Sequence, residues 1–489
     1  MKFFRVVDEI YSPMKAQTIG TIKTPALPLR FDGDEILARV EKYQRGGPLH
    51  GLAGRVGAWS PVLQDLVAPT GLAHKDLKIE LKNGVVTKTD PHTRLVKEDH
   101  IFNLPGLRLP GGEEIDSFTM FVARVYHRFK LDSKRLPVVL CHGAFTNGNS
   151  WQVGTEGRNV RHLHKYDSFA NFLASKGFDV YMLNLPYAKR IYSRYVQSVY
   201  GVPYRPDPDI GFDELQEYVP SVIDFALATH NETMRAENDK EKGKINWIGH
   251  SLGGMLMYAY LSRQDERINA VAALGSPISL NAQILRWASN FNRLIERLGK
   301  EERRTQEAAA QKEALGAGLS PAKRLALAIV PLTDGLYFTP SLAISTVARF
   351  APLIDYIYNP ENADPYMIKP FILSAAEPIY ARLFDFFLHM ARRNEFVSAT
   401  PGLDCDYIEL MGQIETPLFL GAGEKDWLAT VGSIKNARRF IANRLPANER
   451  DHRFPMQVFK NTGHADLISG HNALTEVARS VIAFFDRHA

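Results

Sequence analysis

The residues best suited to covalent chemistry lie in the pentapeptide Gly-His-Ser-Leu-Gly at residues 249–253. A serine with glycines two residues before and after it is typical of a sharp turn between a strand and a helix, which exposes the hydroxyl. An apolar run at residues 245–248 precedes the motif, and a helical pattern follows it. The free amides at the start of that helix would face charge that develops at the serine. The motif therefore predicts Ser251 as a nucleophile.

A serine hydroxyl needs a base to take its proton, and that base is usually a histidine oriented by an acid. Two downstream residues fit the chain order Ser, Asp or Glu, His. Asp426 follows a strand-like apolar run at residues 418–421, and His464 lies in the loop after the last strand-like segment, at residues 457–459. Because the carboxyl ends of parallel strands share one edge of a sheet, we expect Ser251, Asp426 and His464 to meet there.

Acyl transfer through a tetrahedral intermediate also needs amide donors for the oxyanion. One donor normally belongs to the residue after the serine, and the other lies in the loop after an early strand. Leu252 supplies the first amide. The apolar run at residues 137–141 leads into the second loop, where the amide of Ala144 is the candidate and Phe145 is its neighbour.

Other titratable residues near this constellation have simpler interpretations. Glu424 is a substitute for Asp426 as the orienting acid. Asp466 and His471 fit a helix start or a polar network better than a triad, because Asp466 is too close in sequence to His464 to serve the same imidazole easily.

Several further residues are predicted to have no catalytic role. His142 is expected to be a buried, hydrogen-bonded histidine, and Cys141 a small core residue rather than a thiol nucleophile. The pair His162 and His164 lacks further ligands at a metal-binding spacing, so a solvated loop is favoured. The basic and aromatic segment at residues 187–195 follows a strand and is interpreted as a pocket wall or a lid contact.

The elements that position these residues alternate between short apolar runs and helical patterns, which is typical of an α/β fold with a mostly parallel sheet flanked by helices. Most of the runs are continuous, as expected of strands covered on both faces. Strands are predicted near residues 138–141, 180–185, 245–248, 271–274, 418–421 and 457–459. Helices are predicted near residues 168–175, 212–228, 255–262, 433–441 and 473–487.

Four regions follow from this pattern. Residues 1–105 form an N-terminal extension with a hairpin signal at Asn83-Gly84, and residues 106–276 form the first part of the core. Residues 277–410 contain no convincing strand and are predicted to be a large helical cap insertion, before the second part of the core at residues 411–489. An apolar stripe within residues 284–298 of the insertion fits either ordinary core packing or a lid over an acyl pocket.

Composition narrows the class of protein. The chain has 489 residues, and its net charge of +5, from 59 Lys and Arg against 54 Asp and Glu, is too dilute to support a nucleic-acid partner. Two cysteines favour a reducing compartment. The charged residues near the start do not fit the apolar stretch expected of a signal peptide. No segment of the sequence comes near the roughly 18 consecutive apolar residues expected of a membrane span. A cytoplasmic protein is expected, with peripheral contact with lipid and oligomeric state left open.

These motifs resemble the α/β-hydrolase superfamily and, within it, are similar to the acid lipases of the gastric and lysosomal group. The resemblance covers roughly residues 118–274 well and the last 75 residues moderately. It is carried, besides the serine motif, by residues 137–145, Asn149-Ser150-Trp151, residues 168–170, residues 177–181, Phe212-Asp213-Glu214 and residues 222–225.

The resemblance implies ester hydrolysis through an acyl-enzyme without a cofactor, by Ser251, Asp426 and His464. The chain departs from the acid lipases at two places, of which the second bears on substrate contacts. Acid lipases usually have glutamine where this chain has Leu252, and they have Asn-Ser-Arg-Gly where it has Asn-Leu-Pro-Tyr at residues 184–187. The insertion is also similar to that of bacterial polyhydroxyalkanoate synthases, but those enzymes have cysteine in place of Ser251.

The sequence therefore predicts a serine carboxylic-ester hydrolase whose partner is a small apolar acyl ester, with no metal. One alternative uses the same site to transfer the acyl group to an alcohol. An alternative of another class is a catalytically silent binding protein of this fold. The sequence of such a protein would lack one of the three residues Ser251, Asp426 and His464, and none is missing here.

Overall fold

The computed structural model describes residues 20–21, 78–82, 85–90, 93–109, 112–154, 168–186, 210–280, 357–363, 371, 375–377 and 379–489. The histidine pair at residues 162 and 164, the segment at residues 187–195 and the apolar stripe at residues 284–298 lie outside them.

A ten-stranded sheet, counted over the described ranges, organises the molecule in the order β13-β12-β11-β10-β8-β9-β7-β4-β3-β2. Neighbours from β13 to β9 are parallel, and the pairs from β9 to β2 are antiparallel. The strands are β2 Lys78–Lys82, β3 Val85–Thr89, β4 Leu95–Leu104, β7 Phe118–His127, β8 Val138–Cys141, β9 Val180–Leu183, β10 Ile245–His250, β11 Ile268–Leu274, β12 Leu418–Gly423 and β13 Met456–Phe459. A small second sheet contains β1 Gly20–Thr21, β5 Leu107–Arg108 and β6 Glu114–Ile115.

Helices flank the sheet. They are α1 Phe169–Ser175, α2 Phe212–Glu217, α3 Val219–Ala236, α4 Leu252–Tyr260, α5 Ala381–Arg393, α6 Tyr407–Met411, α7 Val431–Ile441, α8 Ala447–Arg453, α9 Asp466–Ser469 and α10 Ala478–Arg487, with 3-10 turns at Gly148–Trp151 and Leu261–Arg263 and a π turn at Ala473–Val477. Within the described ranges, no helix has the length and apolar composition that a bilayer-spanning segment requires.

The central strands are buried on both faces, which explains their continuous apolar runs. In β8, Val139 and Cys141 pack into the core on one face of the sheet, and Val138 and Leu140 pack into the core on the other. All four side chains are fully buried. The predicted mostly parallel α/β architecture is confirmed, and β8 has the predicted bounds.

Two expectations need adjustment. The helix predicted over residues 212–228 is two helices, α2 and α3, which meet at Tyr218; Pro220 lies in the first turn of α3, where a missing amide hydrogen is tolerated. The sheet also crosses the predicted boundary at residue 105. Strands β2 to β4 extend it, and the pairing of β2 with β3 is the hairpin predicted from the Asn-Gly signal.

A buried charge network joins the added strands to the core. The guanidinium of Arg124 in β7 donates to Asp179 at 2.8 and 2.7 Å and to Glu98 of β4 at 2.9 Å. His230 of α3 lies 2.8 Å from the same Asp179 carboxylate. Burial alone would raise the carboxyl pKa values, but Arg124 and the histidine contacts outweigh it, lowering the pKa of Asp179 and bringing that of Glu98 to about 2.

Candidate active site

Ser251 lies at the junction of β10 and α4 with φ 52° and ψ −116°, a backbone conformation that is strained for a residue with a side chain. Its own amide donates to the carbonyl of Leu274 at 2.8 Å, and its carbonyl accepts from Gly254 and Met255 at 3.0 Å each. The first bond ties the turn to β11, and the other two start α4. The structure thus places Ser251 at the sharp turn that the sequence predicts.

The glycines around Ser251 permit a close approach of backbones. A Cβ on Gly249 would lie 2.3 Å from the carbonyl of Gly253, and a Cβ on Gly253 would lie 2.3 Å from the carbonyl oxygen of Cys141. Neither backbone atom can move as a flexible side chain would. The serine turn therefore requires glycine at both positions so that α4 can start against β10 and β8.

Gly253→Ala is expected to lower the free energy of unfolding by about 2 kcal/mol or more, because the new methyl group forces β8 and α4 apart. Gly243→Ala is the matched control, because a Cβ at residue 243 meets nothing within 4 Å. This substitution should raise the free energy of unfolding by at most about 1 kcal/mol. Urea unfolding of both variants measures the difference. Equal stabilities would contradict the steric interpretation.

Asp426 follows β12 and orients His464, which follows β13. Asp426 Oδ2 lies 2.8 Å from His464 Nδ1, and its Oδ1 accepts from the amides of Leu428 and Ala429 at 2.9 and 2.7 Å. The carboxylate is fully buried. Since a carboxylate only accepts hydrogen bonds, Nδ1 carries a hydrogen, which is the ring orientation that directs Nε2 toward a general-base role.

Ser251, Asp426 and His464 converge at the end of β11. Leu274 accepts the amide hydrogen of Ser251. Gly275 comes next, and a Cβ on it would lie 3.2 Å from Asp426 Oδ2 and 3.3 Å from His464 Nδ1. Gly275 has φ 56°, in the left-handed region that favours glycine. The structure therefore brings Ser251, Asp426 and His464 to one edge of the sheet.

His250 is a residue that the sequence analysis missed. Its Nε2 lies 2.9 Å from the carbonyl oxygen of His464, and the two rings are 4.7 Å apart. Burial and the neighbouring His464 lower the pKa of His250 well below its usual value, so the ring is neutral and Nε2–H donates. Its position beside Ser251 was the available signal. His250 links the strand that carries the serine to the loop that carries the histidine.

The predicted oxyanion amides belong to two segments that adjoin Ser251. The loop after β8 lies against the serine, since a Cβ on Gly143 would be 3.0 Å from Ser251 Cβ. Ala144 follows in that loop, before Phe145 at φ 60°. Leu252 is the first residue of α4, so its amide hydrogen has no acceptor within the helix.

Neighbouring groups that could compete for these roles are otherwise engaged. His142 is buried, its Nε2 accepts from the amide of Leu185 at 2.9 Å, and burial lowers its pKa to about 4, so it is the neutral, satisfied histidine that was predicted. Burial raises the pKa of the Cys141 thiol. Glu424 is exposed and accepts from the amide of Asn461 at 3.0 Å. His471 is exposed as well.

Asp466 stabilises the loop that carries His464. Its Oδ2 accepts from the amide of Gly463 at 2.7 Å and from the amide of Asn359, in the predicted insertion, at 3.0 Å. The amide of Ala465 also donates to Ile357 at 2.8 Å. Burial raises the pKa of Asp466 to about 6, and the charge of nearby Asp426 adds to the rise. The network role predicted for Asp466 agrees with these contacts.

The raised pKa of Asp466 gives an expected pH dependence. The folded chain holds this proton more tightly than the unfolded chain, whose aspartate titrates near 3.9, so stability from this group is complete below pH about 4 and is lost as pH rises through 6. Asp466→Asn has no such proton to lose. When the pH is raised from 5 to 7.5, the difference in unfolding free energy between Asp466→Asn and wild type should therefore shift by about 1 kcal/mol in favour of the variant. Urea unfolding at both pH values checks this, and a pH-independent difference would contradict it.

A family model described as the alpha/beta hydrolase fold matches residues 137–470. The chain belongs to this family. The model is that of the wide family, so the narrower resemblance to acid lipases stays a prediction. No curated protein matches the chain.

Several solved structures are similar to the chain at low identity. A naproxen esterase from Bacillus subtilis has 14% identity over 75% of this chain and 87% of that chain, with a TM-score of 0.42. A bacterial membrane phospholipase A has 14% identity over 92% and 96%, with a TM-score of 0.41. A putative lipase from Sulfolobus solfataricus has 15% identity over 85% and 100%, with a TM-score of 0.41. The activities in these names belong to those proteins.

Proposed function

We propose that the protein is a serine hydrolase that cleaves carboxylic esters of apolar acyl groups. The observation that carries the proposal is the hydrogen bond between Asp426 and His464 beside the strained turn at Ser251. A buried acid, a histidine held at Nδ1 by that acid and a serine at a sharp turn are the three parts of a nucleophilic acyl-transfer site.

In the proposed reaction, Ser251 Oγ attacks the ester carbonyl carbon while His464 Nε2 takes the hydroxyl proton. Asp426 stabilises the imidazolium that forms and does not itself take the proton. The carbonyl electrons move to the oxygen, where the amides of Ala144 and Leu252 would donate to the oxyanion. The carbon–oxygen bond of the ester then breaks, and the leaving alcohol receives the proton from His464.

The acyl-enzyme on Ser251 is then hydrolysed by water, with His464 again acting as base and returning the proton to the serine. No metal or cofactor is needed for these steps. The preference for apolar acyl groups rests on the apolar stripe at residues 284–298, which lies outside the described residues.

The test uses the full-length protein with p-nitrophenyl esters of increasing acyl length and with a fluorophosphonate probe. We expect turnover that depends on chain length, and covalent labelling that peptide mapping assigns to Ser251. Absence of both labelling and turnover across the ester panel would overturn the proposal and favour a binding protein of this fold.

A further inference from the structure

A short segment returning from the predicted insertion pairs with the loop that carries the oxyanion amide. The amide of Glu377 donates to the carbonyl of Phe145 at 2.8 Å, and the amide of Asn147 donates to the carbonyl of Ala375 at 2.9 Å. Between these bonds, Thr146 and Ala376 form an antiparallel bridge. The loop after β8 therefore has a strand-like partner that belongs to the cap.

A side-chain contact adds to this backbone pairing. Asn147 Nδ2 donates to Glu377 Oε1 at 2.8 Å, and both side chains are fully buried. The other end of the Asn147 amide, Oδ1, accepts from the amide of Asn149 at 2.9 Å and caps the 3-10 turn Gly148–Trp151. Asn147 is thus held between the turn that follows the loop and the carboxylate of Glu377.

The conformation of this loop needs such support. Phe145 has φ 60°, which is uncommon for an aromatic residue and persists where surrounding contacts over-determine it. Its carbonyl is the acceptor for Glu377, and Ala144 precedes it directly, with the amide of Ala144 one peptide group further back in the loop. A shift of Phe145 would therefore displace Ala144 and move its amide away from the position of an oxyanion.

We infer that Glu377 is a positioning residue for the oxyanion amide of Ala144, acting through Asn147 and Phe145. This inference rests on the proposed function, because the loop has an oxyanion to bind only if Ser251 is a nucleophile. Glu377 itself would not touch the substrate. Its removal should weaken transition-state binding and leave substrate binding little changed.

The decisive variant is Glu377→Ala, studied in the full chain with a soluble p-nitrophenyl ester. We expect kcat to fall about 10- to 100-fold with KM within about twofold, since a displaced oxyanion donor acts mainly on the transition state. Affinity for a trifluoromethyl ketone, whose adduct with the serine carries an oxyanion, should fall by the same factor as kcat/KM. Glu377→Gln keeps an acceptor oxygen for Asn147 and should retain most of the wild-type kcat.

Glu214→Ala is the matched control, because it also removes a buried carboxylate that contacts the predicted insertion. Glu214 is fully buried, accepts from the amide of Gly211 at 2.8 Å and forms an ion pair with Arg382 of α5. Its removal loosens α5 without touching the loop after β8. The control should lose stability while kcat and ketone affinity stay within about twofold of wild type.

Outcomes for the inference and for the proposed function are separable. If wild type reacts with the fluorophosphonate at Ser251 while Glu377→Ala keeps its kcat and ketone affinity, the positioning role is wrong and the hydrolase proposal stands. If wild type does not react, the proposed function fails first. Should Glu377→Ala not fold, Asn147→Ser removes the same hydrogen bond while keeping a residue type that caps helical turns, and the same two quantities decide.

Discussion

Ser251→Ala is expected to lower kcat for ester hydrolysis by at least about 10⁴-fold, because the variant has no nucleophile to form the acyl-enzyme. Binding of a ground-state ester analogue should change little, since the methyl side chain is smaller than the hydroxymethyl side chain that it replaces. Stopped assays with a p-nitrophenyl ester, combined with fluorophosphonate labelling, measure the loss. Activity that survives in this variant would overturn the assignment of Ser251.

Two further variants sharpen this result. When two residues act in one catalytic unit, the losses of activity caused by their substitutions do not add. The double variant Ser251→Ala with His464→Ala should therefore be about as active as Ser251→Ala alone. Ser262→Ala is a control, because Ser262 lies in the 3-10 turn after α4 and donates to the carbonyl of Ala259. That variant should keep both turnover and labelling. A double variant far weaker than either single variant would show that Ser251 and His464 act independently.

Arg124→Met is expected to lower the free energy of unfolding by about 3–5 kcal/mol. The methionine fills part of the volume of the arginine but leaves the carboxylates of Asp179 and Glu98 buried without their main counter-charge. Burial alone raises the pKa of both carboxyl groups, and Arg124 is the main group that lowers them in wild type, so its removal leaves the cost of burying the two charges uncompensated. Urea unfolding at pH 7 measures the change.

The matched control for this variant is Arg108→Met. Arg108 pairs with Glu114 at 2.6 Å, but the two side chains are 65% and 51% exposed. Water screens such a pair, and its loss should change stability by at most about 1 kcal/mol. If both variants lose the same small amount, then the network around Arg124 does not stabilise the junction between β4, β7 and β9.

The sequence predicts the central part of the fold well, since β8, β10 and β12 are buried on both faces and therefore appear as continuous apolar runs. The same logic places Asp426, which follows β12, whereas β13 before His464 is an edge strand with exposed Gln457 and Val458 and is located by its position after the other strands. Strand β4 could not be recognised this way. It contains Lys97, Glu98 and Asp99, and their burial depends on partners elsewhere in the chain that no local pattern reveals.

The support for the candidate site was also hidden from the sequence. Glu377 contacts Asn147 across 230 residues, and its segment is too short to give a strand pattern. Asn359 contacts Asp466 across 107 residues in the same way. A hydrogen bond between distant loops leaves no periodicity, so the sequence predicts the groups proposed to do chemistry and misses the groups that hold their loops.

The pairing of Asn359 and Glu377 with these loops limits how the cap can be exchanged. A chimaera cut at the predicted boundaries, residues 277 and 410, would replace both residues, and the loops after β8 and β13 would lose these partners. A graft confined to residues 281–356 keeps those partners. Residues 281–356 can therefore be varied without removing these contacts, whereas Asn359 and Glu377 must stay matched to the loops that carry His464 and Ala144.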